Sequence, residues 1–347
     1  MPEFGHSYVN DLALIDKMIP ANCPLCGLVD SAVVFTEGRL HSPKRVKVMQ
    51  YGKMDTVLCS KCGLLYRYPL KADELSAFYK ATYYEAFKQE TCAEGRANDL
   101  RIARRKNSQI LQYIRSRVDL RQRRVLDLGC GRGTLLSLIH ETCDTEFLLG
   151  VEPSFAVVEW VHKQHFRFEV WGGDIAGFAN VRERQTVWSQ PFDVVLLVGV
   201  LEHLADPVGD LKHIRGMIAE DGWLYMYAHD ESPCLDWDFR QRISLAHVLY
   251  FRPQTMRRLL TRTGFTPIHL ESRGTTMHVI ARPGPSSTIH SNLSQDEFLK
   301  LYRRYVFSTS ILARTFRSIK GCALIPYVFL RRIVKRALGS WLSASRA

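Results

Sequence analysis

The chain has 347 residues, of which 46% are hydrophobic and 24% charged, an ordinary globular balance with room for one α/β core and an attachment at each end. It has no run of about 18 apolar residues, which excludes a membrane-spanning helix. No signal-type leader stands at its start either, so a cytoplasmic protein is expected. The net charge of +12 is concentrated: residues 286–347 hold eleven Lys/Arg against two acids, about +9, which points the tail rather than the core at an acidic surface.

After a short lead-in, residues 21–69 alternate strand-like runs with Gly and Cys. Two knuckles stand out, Cys23-Pro-Leu-Cys26-Gly and Cys59-Ser-Lys-Cys62-Gly, separated by 32 residues. Each puts two sulfurs one tight turn apart, and the glycine after the second permits the positive φ such a turn needs. Four thiolates are the closed tetrahedral set of a structural Zn2+, with no position left for chemistry. A redox Cys-x-x-Cys or two unrelated thiol pairs are the competing readings. The shared Cys-x-x-Cys-Gly form favours zinc.

A helical stretch from Asp73 to Lys80 leads into an aromatic segment with Tyr83 and Tyr84. An amphipathic helix follows, with Leu100, Ala103, Ile110, Leu111, Ile114 and Val118 at helical spacing. From Arg124 strands and helices alternate, and the seven apolar runs are Val125–Leu128, Phe147–Val151, Phe168–Trp171, Val194–Val198, Trp223–Ala228, Pro267–Leu270 and Met277–Ala281. This predicts an α/β fold, a doubly wound, mainly parallel seven-stranded sheet closed by an antiparallel hairpin.

The stretch Arg124-Val-Leu-Asp-Leu-Gly-Cys-Gly-Arg-Gly-Thr-Leu-Leu136 runs a strand into Gly129, Gly131 and Gly133 and then a helix. A dinucleotide fingerprint would need glycine at 134, where Thr134 stands. Asp127 would repel a pyrophosphate and favour a ligand carrying an ammonium group, as the methionine end of S-adenosylmethionine does. Glu152, ending the second strand, is placed to take ribose hydroxyls. Asp174 is placed for the adenine amino group, with Ile175 packing on the ring. Three acids at successive strand ends make one constellation.

On these residues, 124–282 resemble the class I S-adenosylmethionine-dependent methyltransferases. The segment Phe192-Asp-Val-Val-Leu-Leu-Val-Gly-Val-Leu-Glu-His-Leu-Ala-Asp-Pro207 is similar to that family's fourth motif. His247-Val-Leu-Tyr-Phe-Arg-Pro-Gln-Thr-Met-Arg-Arg-Leu-Leu-Thr-Arg-Thr-Gly-Phe265 is similar to a stretch common in one branch of it. With Val57-Leu-Cys-Ser-Lys-Cys-Gly-Leu-Leu-Tyr-Arg-Tyr-Pro69, residues 21–282 resemble zinc-ribbon methyltransferases associated with sugar and glycan modification. Sugar C-methyltransferases of that kind continue into a further large domain. The basic helical tail here departs from that pattern, so O- or N-methylation is expected.

The expected organisation is a zinc-ribbon module with lead-in at 1–70, a helical linker or lid at 71–123, the cofactor-binding domain at 124–285 and a basic amphipathic tail at 286–347. Candidate catalytic residues are His203, at the end of strand four, and His247, in the segment after strand five, with His229 behind them. Glu202 and Tyr84 join the candidate cofactor contacts, Tyr83 and Tyr84 as a lid. In the tail, Leu330, Ile333, Val334, Ala337, Leu338, Trp341 and Leu342 share a face opposite Arg331, Arg332, Lys335 and Arg336. That helix suits either an anionic membrane surface or a packing partner. The upstream helix, Phe298 to Ile319, is expected to dock on the core. The expected acceptor is a small molecule, sugar or lipid-linked glycan. A ribosomal or transfer RNA methyltransferase and a non-catalytic cofactor-fold protein are the rivals. Leu201-Glu-His-Leu204 stands where base-amino methyltransferases carry Asn-Pro-Pro-Tyr, which argues against amino-group methylation of bases.

Overall fold

The computed structural model describes residues 17–36, 54–82, 93–233, 247–287 and 292–309. Tyr83, Tyr84 and the tail helix around Trp341 lie outside them. The first strands are β1 (Met18–Ile19), β2 (Ser31–Thr36), β3 (Asp55–Cys59) and β4 (Leu65–Tyr68). Helix α1 (Ala72–Ala77) runs into a π-helical turn, Phe78–Thr82, and α2 spans Ala93–Arg115. Strand and helix then alternate as β5 (Arg124–Leu128), α3 (Thr134–Thr142), β6 (Phe147–Glu152), α4 (Phe155–His162), β7 (Glu169–Gly172), α5 (Ile175–Val181), β8 (Phe192–Val198), α6 (Pro207–Met217) and β9 (Ile218–His229). The chain continues through β10 (Leu249–Tyr250), α7 (Pro253–Arg262), the hairpin β11 (Phe265–Arg273) and β12 (Thr276–Pro283), and α8 (Gln295–Thr309).

All seven apolar runs of the central region became strands of one sheet, in the order β11-β12-β9-β8-β5-β6-β7. The pairings from β9 through to β7 are all parallel, while β12 runs antiparallel to both β9 and β11. Residues alternate between the two faces, as a strand's period of two requires. Leu126, Leu128, Val195 and Leu197 enter one core with Leu211, Ile214, Met256 and Leu259. Val125, Val194 and Leu196 enter the other with Ile110, Ile114, Leu136 and Ile139. Capping fixes where helices begin. Asp174 accepts from the Gly177 N–H at 2.8 Å at the start of α5, and Asp206, followed by Pro207, accepts from Gly209 at 2.9 Å at the start of α6.

The N-terminal strands form a second, antiparallel sheet, β1-β2-β3-β4-β10, whose last strand comes from far along the chain. Leu249 pairs with Tyr66, and Tyr250 pairs with Leu65. Helix α8 covers this sheet, with Phe298, Leu301 and Tyr305 buried against Ala32, Val34, Leu58 and Leu65. Arginines of the α7 segment bind the knuckle carbonyls. Arg262 donates to Leu25 at 2.7 Å, Arg252 to Gly63 at 3.1 Å, and Arg258 to Cys62. The cysteine module is thus joined to the large sheet by hydrogen bonds as well as by a shared apolar core.

Candidate cofactor cavity and histidine cluster

The sheet changes direction at β5, which neighbours β6 on one side and β8 on the other. Ligands of open α/β sheets bind beyond the strand ends at such a point. Here a cavity of roughly 470 Å³ opens, lined by Gly129 and Gly131 after β5, Glu152 at the end of β6, Asp174 and Ile175 at α5, and Gly199 and His203 after β8. Its size suits a nucleoside-containing ligand. The glycines hold left-handed conformations, with φ of 75° at Gly129, 55° at Gly131 and 70° at Gly133. A Cβ added at Gly131 would meet nothing within 4 Å, so the backbone itself faces open space there; one added at Gly133 would strike the Phe168 ring at 2.6 Å.

Glu152 ties this loop down. One carboxylate oxygen accepts from the Gly131 N–H and the other from the Ser154 N–H, both at 2.9 Å. Asp127 does not line the cavity. It lies beneath the loop, 2% exposed, with Oδ1 lacking a hydrogen-bond partner. Burial, and then the neighbouring Glu152, push its carboxyl up to about 7. Asp174 lines the cavity while capping α5, and its second oxygen pairs with Lys80 at 2.9 Å. Burial raises its carboxyl, but Lys80 and the Gly177 N–H outweigh that and hold it below the usual range. The sequence reading missed Asp210, which also lines the cavity; burial, Asp206 and Asp174 push it up to about 7. Asp206 caps α6 and Asp210 stands in its first turn, and that acidic spacing of four was the available signal.

Beside the cavity the three candidate histidines come together. The Tyr79 Oη and His203 Nδ1 lie 2.6 Å apart. The rings of His203 and His247 are 4.9 Å apart, and those of His247 and His229 are 4.8 Å apart. Glu202 is placed differently from the cofactor contacts among which the sequence reading set it. It turns away from the cavity lining and is buried, with Oε1 at 3.8 Å from His229 Nε2. Burial raises its carboxyl, opposed by the backbone, His229 and Lys106. Tyr79 lies in the segment expected to be helical, and nothing in sequence marks its reach to a histidine 124 positions away.

The four knuckle cysteines converge as well. Cys23 Sγ lies 3.5 Å from Cys62 Sγ, and Cys26 Sγ lies 3.5 Å from Cys59 Sγ. All four sulfurs fall within 4.8 Å of one another. Four thiols packed this closely, three of them buried, match the donor set of a tetrahedral metal centre.

Residues 100–270 match a family model described as a methyltransferase domain. The chain carries a class I S-adenosylmethionine-dependent methyltransferase domain. It is 30% identical over 169 residues to a tRNA U34 carboxymethyltransferase of Aliarcobacter butzleri, a match covering 45% of this chain and 52% of that protein. It is 27% identical over 125 residues to a ubiquinone biosynthesis O-methyltransferase of Neisseria meningitidis, covering 35% and 51%. The chain thus spans about half the length of the curated relatives it matches. The magnesium protoporphyrin IX methyltransferase structure from Synechocystis, with 14% identity and a TM-score of 0.47, overlaps 62% of this chain and 100% of that one. The residues of the methyltransferase domain fit the family's cofactor. The open Gly131 backbone accommodates close approach, and the buried, unpartnered oxygen of Asp127 puts negative charge beneath the loop where a cationic methionine end would sit.

Proposed function

We propose that this protein transfers a methyl group from S-adenosylmethionine to an oxygen or nitrogen of a small-molecule, sugar or lipid-linked glycan acceptor. In this reading Gly129, Gly131 and Gly133 cradle the methionine end over Asp127, Glu152 takes the ribose hydroxyls, and Asp174 with Ile175 holds the adenine. The bound cofactor supplies a sulfonium-activated methyl group. One observation carries the assignment of the chemistry, namely the phenol–imidazole pair of Tyr79 and His203 at the cavity wall. With His203 Nδ1–H donating to the Tyr79 oxygen, Nε2 presents a lone pair. That nitrogen takes the acceptor proton as the acceptor's lone pair bonds to the methyl carbon. The cofactor would supply the methyl group and carry off the carbon–sulfur bonding pair as a neutral thioether, while His203 holds the proton. His247, edge-on to His203, holds the imidazole in place.

Relatives named as ubiquinone O-methyltransferases and as a tetrahydroprotoberberine N-methyltransferase support a small-molecule acceptor. A transfer RNA acceptor is the second reading, favoured by the tRNA U34 relatives. The four cysteines hold a structural Zn2+ that fixes the small sheet against α7. We place the protein in the cytoplasm, with the basic tail suited to an anionic membrane face or to a packing partner. Among the described residues no helix is long and apolar enough to cross a membrane.

The test is to incubate purified protein with methyl-labelled S-adenosylmethionine and a host extract, then separate RNA, protein, lipid and small-molecule pools. Label in the lipid or small-molecule pool, absent with His203→Ala, is expected. Label that disappears with ribonuclease would overturn the glycan and small-molecule reading in favour of RNA.

A further inference from the structure

We infer that Glu202, His229 and His247 form a divalent-cation site beside the cofactor cavity, separate from the four-cysteine cluster. One oxygen or ring nitrogen from each lies within 4.8 Å of the others. Two of the donors follow or end neighbouring strands of the large sheet, and the third precedes a strand of the small one. Glu202 stands in the turn after β8, His229 is the last residue of β9, and His247 precedes β10. Their backbones are held in place. The Glu202 carbonyl accepts from the Val248 N–H at 2.9 Å, and His229 is paired with Thr276 in the sheet.

The second observation is the carboxylate itself. Glu202 is 3% exposed, and its Oε2 is buried with no hydrogen-bond partner. A carboxylate in that position is costly without a counter-charge. Lys106 is the cation whose field reaches it, yet the two make no ion pair within 4.0 Å among the described residues. Instead the Lys106 ammonium stands over the Tyr227 ring, 4.7 Å from its centroid. A bound divalent ion satisfies both the free oxygen and the charge.

Donors around an ion with bonds near 2.1 Å sit about 3.0–3.4 Å apart. The Glu202–His229 separation of 3.8 Å closes to that range with a shift of about half an ångström, which a side-chain rotation supplies. Two imidazoles and one carboxylate suit Mn2+, Fe2+ or Zn2+, and three protein donors leave positions for water or an acceptor oxygen. His203 lines the cavity, and its ring lies 4.9 Å from that of His247. An acceptor oxygen held there has its hydroxyl proton loosened by the cation. That role rests on the methyl-transfer reading; the binding of the ion does not.

The experiment titrates Mn2+ alone into the purified full chain and follows free Mn2+ by electron paramagnetic resonance. Mn2+ prefers oxygen and nitrogen donors and so leaves the thiolates out of the measurement. About one Mn2+ bound per chain is expected, weakened at least tenfold in Glu202→Gln and separately in His247→Gln. Circular dichroism and S-adenosylhomocysteine binding identify which variants fold, and either histidine or glutamate variant suffices for the comparison. Wild type that binds no Mn2+, or binding that both folded variants retain, overturns the site. Methyl transfer is not read, so failure of the acceptor assignment leaves this result interpretable.

Discussion

Replacing Asp127 by asparagine should stabilise the unliganded protein while weakening its hold on S-adenosylmethionine. The carboxyl is buried, its Oδ1 has no partner, and burial with Glu152 moves it from 3.8 to about 7. At about 1.4 kcal/mol per pH unit, keeping it ionised above pH 7 costs the fold on the order of 4 kcal/mol. Between 3.8 and about 7 the folded state holds a proton that the unfolded chain has lost, so native stability falls as pH rises through that window. The amide of Asp127→Asn removes that ionisation. The variant's melting temperature should exceed wild type by on the order of 5 °C at pH 8, and the two should converge by about pH 4. Cofactor affinity should behave oppositely. Wild type should bind more weakly as pH falls below about 7, because protons compete with the cationic methionine end, whereas the variant should bind weakly at every pH. Thermal scans and calorimetry across pH 5–8 measure both. A variant that melts lower than wild type at pH 8, or a wild-type affinity indifferent to pH, would show that Asp127 carries no buried charge facing the cofactor.

Glu152→Ala removes both acceptors that hold Gly131 and Ser154. It should cost about 2–4 kcal/mol in denaturant melts, with cofactor binding lost even where the fold survives. Cys26→Ser or chelation should release about one Zn2+ per chain by elemental analysis and expose the small sheet to protease, while the large sheet keeps its circular dichroism. Tyr79→Phe should lower kcat with little change in cofactor affinity and move the pH profile, since His203 loses the partner that sets its tautomer. An unchanged profile would remove Tyr79 from the chemistry.

The large sheet was legible because its strands are long apolar runs separated by helical segments, so Val125 to Leu128 could only be a buried central strand. The glycine loop was legible because Gly129, Gly131 and Gly133 satisfy a local backbone need. The cysteine pairs carried their own spacing. What sequence hid is long-range. Leu249–Tyr250 is too short to show a period, yet it completes the N-terminal sheet. Helix α8 reads as amphipathic without saying that its apolar face covers β2 and β3. Asp127 looks like a ligand contact from its place before the loop, but its side chain is buried and is not among the residues lining the cavity. Glu202 follows the strand end with no local sign of burial, yet it is 3% exposed and its carboxylate lies beside His229 and His247.

Calorimetry with S-adenosylmethionine on Gly131→Ala tests whether the loop from Gly129 to Gly133 is the cofactor cradle. A methyl there meets no protein atom within 4 Å, and a φ of 55° costs it only about 1–2 kcal/mol, so the fold should survive with its site partly filled. Wild type should bind one equivalent, displaced by S-adenosylhomocysteine, and the folded variant should bind at least tenfold more weakly. Equal affinity in the two proteins would place the cofactor elsewhere and contradict the account.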